Sequence, residues 1–66
     1  MLKLLKKYMD ENPDKEVILC FASGICKKFY PCRTKTKFAP DFSYIVIQSI
    51  ENIEIIPALS IERIKI

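Results

Sequence analysis

A chain of 66 residues has room for a single domain, residues 1–66, and excludes a second one. Half of its residues are hydrophobic, yet no stretch approaches the roughly 20 apolar residues that cross a bilayer, so we expect no membrane span. The net charge of +3 is unevenly distributed, because the segment "KKFYPCRTKTKF", residues 27–38, contains five cations and no acid.

The first segment, "MLKLLKKYMDENP", predicts a short amphipathic helix over residues 1–12. Its apolar residues recur at helical spacing, while lysines occupy the other face. Pro13 disfavours helical geometry at Asn12, so the helix should end near Glu11. A helix of about 11 residues is marginal alone in water and must dock on the rest of the domain. The acidic side chains of Asp10 and Glu11, at the C-terminal end of the helix, do not fit a basic membrane anchor, which argues against membrane association.

From residue 15 onward the pattern changes to that of extended strands. "EVILCFAS" is rich in β-branched and aromatic residues and ends at Gly24, the only glycine, where a tight turn is expected. A second strand follows from Ile25 through Thr36, and Pro31 within it predicts an edge position, a bulge or a break. "SYIVIQSI" and "ENIEIIP" predict two further strands, and "IERIKI" predicts a fifth after a 3₁₀ turn at "ALS".

Short, closely spaced strands after one helix predict a mainly β domain, with a four- to five-stranded antiparallel barrel over residues 15–66. This order resembles the Sm-like and SH3-like small barrels. The resemblance lies in the leading "LKLLKKYM", the first strand "VILCFASG", the long second strand and the ending "IPALSIERIKI". It implies a strongly bent sheet that closes on itself beneath the helix. The signature loops of RNA-binding Sm-like proteins are not found, so the resemblance assigns no RNA-binding residue.

The basic segment has a functional interpretation and two simpler alternatives. If residues 32–38 are extended, Arg33, Lys35 and Lys37 project from one face at about 7 Å per step, close to the phosphate repeat of single-stranded nucleic acid. Nearby aromatic rings could then stack bases. The alternatives are an ordinary solvated strand face and a surface for an acidic protein partner. The predicted site for single-stranded nucleic acid or another polyanion comprises Lys27, Lys28, Tyr30, Arg33, Lys35 and Lys37.

The composition does not indicate catalysis or cofactor binding. The chain has no histidine, no glycine-rich phosphate loop and no paired carboxylates suited to acid–base work. The equal spacing of Cys20, Cys26 and Cys32 suggests a metal site, but structural zinc needs four ligands. We therefore expect no metal or cofactor. The cysteines are expected to be free and to act as small hydrophobes. Their odd number, with no signal peptide ahead of them, predicts a reducing, cytoplasmic location.

These observations favour a non-enzymatic binding module. The alternative function is a protein-interaction module, such as a phage or mobile-element inhibitor of a host factor, or a subunit of a larger assembly. Both functions remain open at this point.

Self-association is predicted from strands that are apolar on both faces. Alternation in "SYIVIQSI" places Ile45 and Ile47 on one face, and Tyr44 and Val46 on the other. Because one short helix covers only one side, a second chain would cover the other, giving a homodimer or small ring. The alternative is that barrel curvature hides the second face. The predicted contact residues are Val46 and Ile56.

Overall fold

The structure, a computed structural model, describes residues 1–66 and confirms a mainly β domain with one N-terminal helix. Two single 3₁₀ turns, Pro31–Arg33 and Ala58–Ser60, interrupt the strands. The helix is α1, Leu2–Glu11, and the strands are β1, Val17–Phe21, β2, Cys26–Phe29, β3, Lys35–Phe38, β4, Tyr44–Gln48, β5, Ile53–Pro57, and β6, Ile61–Lys65.

The six strands form two three-stranded antiparallel sheets, with the orders β2-β1-β6 and β3-β4-β5. No backbone ladder joins one sheet to the other, so the hydrogen-bonded network is open and the predicted closed barrel is not confirmed. The strand count also exceeds the predicted four to five. The extra strand arises because the predicted second strand is divided into β2 and β3.

Pro31 causes this division. Its ring nitrogen carries no hydrogen for a ladder, and the residue opens a 3₁₀ turn instead. The next N–H, that of Cys32, donates to the Pro13 carbonyl at 2.9 Å, which ties the turn to the loop after α1. The sequence allowed an edge position, a bulge or a break at Pro31, and the structure shows a break between two strands. Arg33 consequently lies in the turn and not in the strand.

The core combines α1 with the inner faces of both sheets. The helix ends at Glu11 as predicted, and its docking is confirmed, because its apolar face is buried against the strands. Each of the two sheets contributes alternate residues to the same cluster. The buried cluster comprises Leu2, Leu5, Met9, Val17, Leu19, Phe29, Ile45, Ile47, Ile56 and Ile61.

The predicted turn between the first two strands lies at Gly24. Its φ of +90° is a conformation that glycine adopts without the strain a Cβ would bring. The Gly24 N–H donates to the Phe21 carbonyl, and the Phe21 N–H donates to the Ile25 carbonyl, both at 2.9 Å. This turn fixes the register of β1 and β2.

Candidate nucleic-acid interface

The outer face of the β3-β4-β5 sheet is cationic along one edge strand and mainly apolar along the other two. Side chains that are paired across antiparallel strands project from the same face. Since the inner positions of β4 and β5 belong to the core, the alternate positions form the outer face. Two rows cross this face from β3 to β5, namely Lys35, Gln48 and Ile53, and Lys37, Val46 and Ile55.

Lys35 and Lys37 supply unpaired positive charge to this face. Both side chains are exposed, at alternate positions of a strand that forms the edge of its sheet. The two salt bridges of the chain involve other lysines, Lys6 and Lys27. Two ammonium groups about 7 Å apart along an extended strand can each bind one phosphate of an extended polyanion.

Arg33 extends the cationic strand into a shallow groove. The groove lies where the β3–β4 ladder ends, and its volume is about 380 Å³. The Arg33 guanidinium stacks on the Tyr30 ring, 4.7 Å from the ring centroid, which holds the long side chain in place. The groove thus combines two cations with amide and hydroxyl groups, a combination suited to an anion. Its lining is Cys32, Arg33, Thr34, Lys35, Gln48, Ser49 and Ile50.

The turn between β3 and β4 positions the far end of this face. The Asp41 carboxylate accepts hydrogen bonds from Ser43, including one of 3.1 Å from its backbone N–H. The hydrogen bonds with Ser43 lower the pKa of Asp41, and the bond with the hydroxyl has a larger effect than the bond with the N–H. The neighbouring Phe42 has a φ of +58°. This compact turn brings β4 back beside β3 and places Tyr44 at the start of β4.

Tyr44 is the exposed aromatic residue of this outer face, whereas one face of the ring of Tyr30, the predicted stacking residue, is covered. Tyr30 is half-buried, and Arg33 covers one face of its ring. Tyr44 is 40% exposed on the same outer face as Val46. Sequence alternation already placed Tyr44 and Val46 on one face, and that signal could have identified the ring.

Lys27, a predicted anion-binding residue, is engaged elsewhere. Its ammonium lies 2.6 Å from a Glu54 carboxylate oxygen, so that this ion pair links β2 of one sheet to β5 of the other. As the cross-strand partner of the buried Leu19, Lys27 projects inward, where β5 is within reach. Its positive charge is therefore compensated within the chain.

Lys28 lies on the outer face of the other sheet. The register places it beside Ile18, which is flanked in turn by Lys65 of β6. The predicted basic site is therefore divided among three locations: an inter-sheet ion pair, the β2-β1-β6 sheet and the β3 strand. Of the predicted cations, the structure brings together only Arg33, Lys35 and Lys37.

The two predicted self-association residues have different environments. Val46 is half-buried on the outer face of β4. Ile56 is only 6% exposed and belongs to the core as the partner of Ile45, so it is not accessible to a second chain in this structure. The exposed apolar residues of β5 are Ile53 and Ile55, at 62% and 67%.

Comparison of the chain with protein-family models, with curated proteins and with solved structures finds no match. The single α-helix has ten residues, and no helix is long and apolar enough to span a bilayer. No three potential metal-binding side chains come together. The geometry of the outer face of the β3-β4-β5 sheet is therefore the basis for assigning a function.

Proposed function

We propose that this chain is a non-enzymatic binding module that holds single-stranded nucleic acid on the outer face of the β3-β4-β5 sheet. The observation that carries this proposal is that Lys35 and Lys37 are exposed cations without an acidic partner, on a sheet face where Lys37 lies beside the apolar Val46. The three free cysteines support a reducing cytoplasm as its compartment.

The phosphates would follow the cationic strand. Lys35 and Lys37 would each neutralise one phosphate, and Arg33 would contact a third at the groove. Bases would then extend across β4, where Tyr44 offers a ring for stacking and Val46 an apolar contact. A duplex hides its base faces, whereas a single strand exposes them. The face therefore favours single strands with little sequence preference.

We further propose that the fold is a variant of the SH3-like and Sm-like small barrels. The support is the order of elements: a leading helix, a divided second strand, and a 3₁₀ turn at Ala58–Ser60 between the last two strands. In such a variant, the interruptions at Pro31 and at Ala58 would separate one bent sheet into two.

Mapping by NMR tests where nucleic acid binds. Titrating the ¹⁵N-labelled chain with a ten-nucleotide uridine oligomer should shift the amide signals of β3, β4 and the groove residues. Signals of Ile18, Lys28 and Lys65, on the other sheet, should remain in place and serve as the internal control. Shifts centred on that other sheet, or no shifts at all, would contradict the proposed site.

A protein-interaction surface, with a second copy of this chain as partner, is the second candidate function. It is favoured by Ile53 and Ile55, which are exposed on β5, the sheet edge opposite the cationic strand. Exposed aliphatic residues on an unpaired edge strand are suited to pairing with another chain. A dimer formed through β5 would leave β3 open to nucleic acid.

The oligomeric state tests this second candidate. Light scattering coupled to size exclusion at micromolar concentration should give twice the monomer mass of 7.7 kDa. Ile55→Lys should return the chain to a monomer, because burying the added charge against a partner is costly. Leu4→Lys, at an exposed apolar position on α1, is the matched control and should remain a dimer. A monomeric unmodified chain would eliminate self-association.

A further inference from the structure

Two of the three free cysteines face each other across the first hairpin. Cys20 of β1 is the direct register partner of Cys26 of β2. The Phe21 N–H donates to the Ile25 carbonyl, which makes Cys20 and Cys26 a non-hydrogen-bonded pair of the ladder. In such pairs the Cα atoms are about 4.5 Å apart and the side chains are close, within the range that a disulfide requires.

The surroundings of the two thiols differ. Cys26 is exposed, whereas Cys20 is 4% exposed and lies between Cys26 and its β6 partner Arg63. The hydrogen bond with Cys26 lowers the pKa of Cys20, and Arg63 and Lys65 contribute in the same direction. The same thiol–thiol hydrogen bond raises the pKa of Cys26. One thiol is therefore accessible, while the other is favoured as the thiolate.

We propose that Cys20 and Cys26 form a dithiol site that reacts with low-molecular-weight disulfides and closes to a cross-strand disulfide. Cys26 attacks first because it is the exposed thiol: its deprotonated fraction attacks one sulfur of the reagent disulfide, forms a mixed disulfide and releases the first small thiolate. The Cys20 thiolate then attacks the Cys26 sulfur, forms the Cys20–Cys26 bond and releases the second.

The reaction is balanced in atoms and electrons. The protein dithiol loses two electrons and two protons, and the reagent disulfide is reduced to two small thiols that carry those protons. Cys32 takes no part, because it lies in the 3₁₀ turn and outside the β1–β2 ladder. Cys32 thus stays a free thiol in both states, and in the oxidised form it is the single free thiol.

Oxidation should stabilise the hairpin. The bond closes a loop of about seven residues, which restricts the unfolded chain and should raise the Tm by roughly 10 °C. Because the bond spans a ladder that is already formed, the fold itself should not change.

The experiment treats the intact chain with oxidised glutathione, followed by alkylation and peptide mapping by mass spectrometry. The number of alkylated cysteines should fall from three to one, with Cys20 linked to Cys26 and the oxidised form melting about 10 °C higher. Cys32→Ser should form the same link. Cys20→Ser should stop at a stable glutathione adduct on Cys26, because the resolving thiol is absent.

Three results would overturn the proposal. One is a cross-link that includes Cys32, and another is glutathione adducts on both Cys20 and Cys26 without a link between them. The third is no reaction in either the unmodified chain or Cys32→Ser. The unmodified chain and Cys32→Ser both retain Cys20. Misfolding caused by a serine at the buried position 20 therefore cannot account for these results.

Discussion

Replacing Lys35 and Lys37 together by glutamate is expected to weaken the binding of single-stranded RNA about 100-fold. Each lysine–phosphate attraction is worth on the order of 1 kcal/mol in a wet site, and each glutamate adds a repulsion of similar size. Allowing for salt screening, the total approaches about 3 kcal/mol, and every 1.4 kcal/mol corresponds to a tenfold change in affinity. Fluorescence anisotropy of a labelled oligonucleotide at low salt measures the effect.

The matched control reverses the same number of charges on the other sheet. Lys28 and Lys65 flank Ile18 on the outer face of the β2-β1-β6 sheet, so Lys28→Glu combined with Lys65→Glu changes the net charge equally. We expect this variant to lose only a few-fold in affinity, through weaker long-range steering. Equal losses in the two double variants would mean that the total charge of the chain, and not the β3 strand, determines binding.

Leu19→Ala is expected to destabilise the domain strongly. Leu19 is fully buried at the centre of β1, and removing three carbons there leaves a cavity that costs about 3 kcal/mol or more. A domain of this length has a total stability of roughly 3–10 kcal/mol, so the loss is a large fraction of it. Urea denaturation followed by circular dichroism should show a much lower midpoint.

Leu59→Ala is the control for this change. Leu59 is fully exposed in the second 3₁₀ turn, so its truncation should alter the free energy of unfolding by less than about 0.5 kcal/mol. If the two leucine variants unfolded at the same urea concentration, the assignment of Leu19 to the core would be contradicted.

Features with a local cause could be predicted from the sequence. Pro13 ended the helix near Glu11, and the only glycine marked the first hairpin, because each acts through the backbone of its immediate neighbours. Pro31 also indicated an irregularity in the second strand. Whether this is an edge position, a bulge or a break depends on which group accepts the hydrogen bond from the next N–H, that of Cys32. That acceptor is the Pro13 carbonyl, 19 positions earlier in the chain.

The candidate site could be predicted only in part. Alternation correctly placed Lys35 and Lys37 on one face of a strand, since that periodicity is local. The compensation of Lys27 by Glu54 joins residues 27 positions apart on different sheets, and no local pattern encodes it. Alternation also separated Ile55 from Ile56 without indicating which of them faces inward.

The proximity of Cys20 and Cys26 is also a feature that the sequence indicates. Cys20 and Cys26 lie three positions before and after Ser23, within the turn that contains Gly24, so a tight hairpin there brings them opposite each other. The expectation that the cysteines are free small hydrophobes does not include this pairing. Register across a turn, unlike burial, can be counted from the sequence once the turn is located.

The salt dependence of oligonucleotide binding tests the central claim most directly. Anisotropy titrations of the unmodified chain with a single-stranded oligomer at several salt concentrations give the slope of log affinity against log salt. Contacts with two to three phosphates predict a slope of about −1.4 to −2.1, with a duplex of the same length bound more weakly. No binding at low salt, or binding that does not change with salt, would contradict the assignment of this face to nucleic acid.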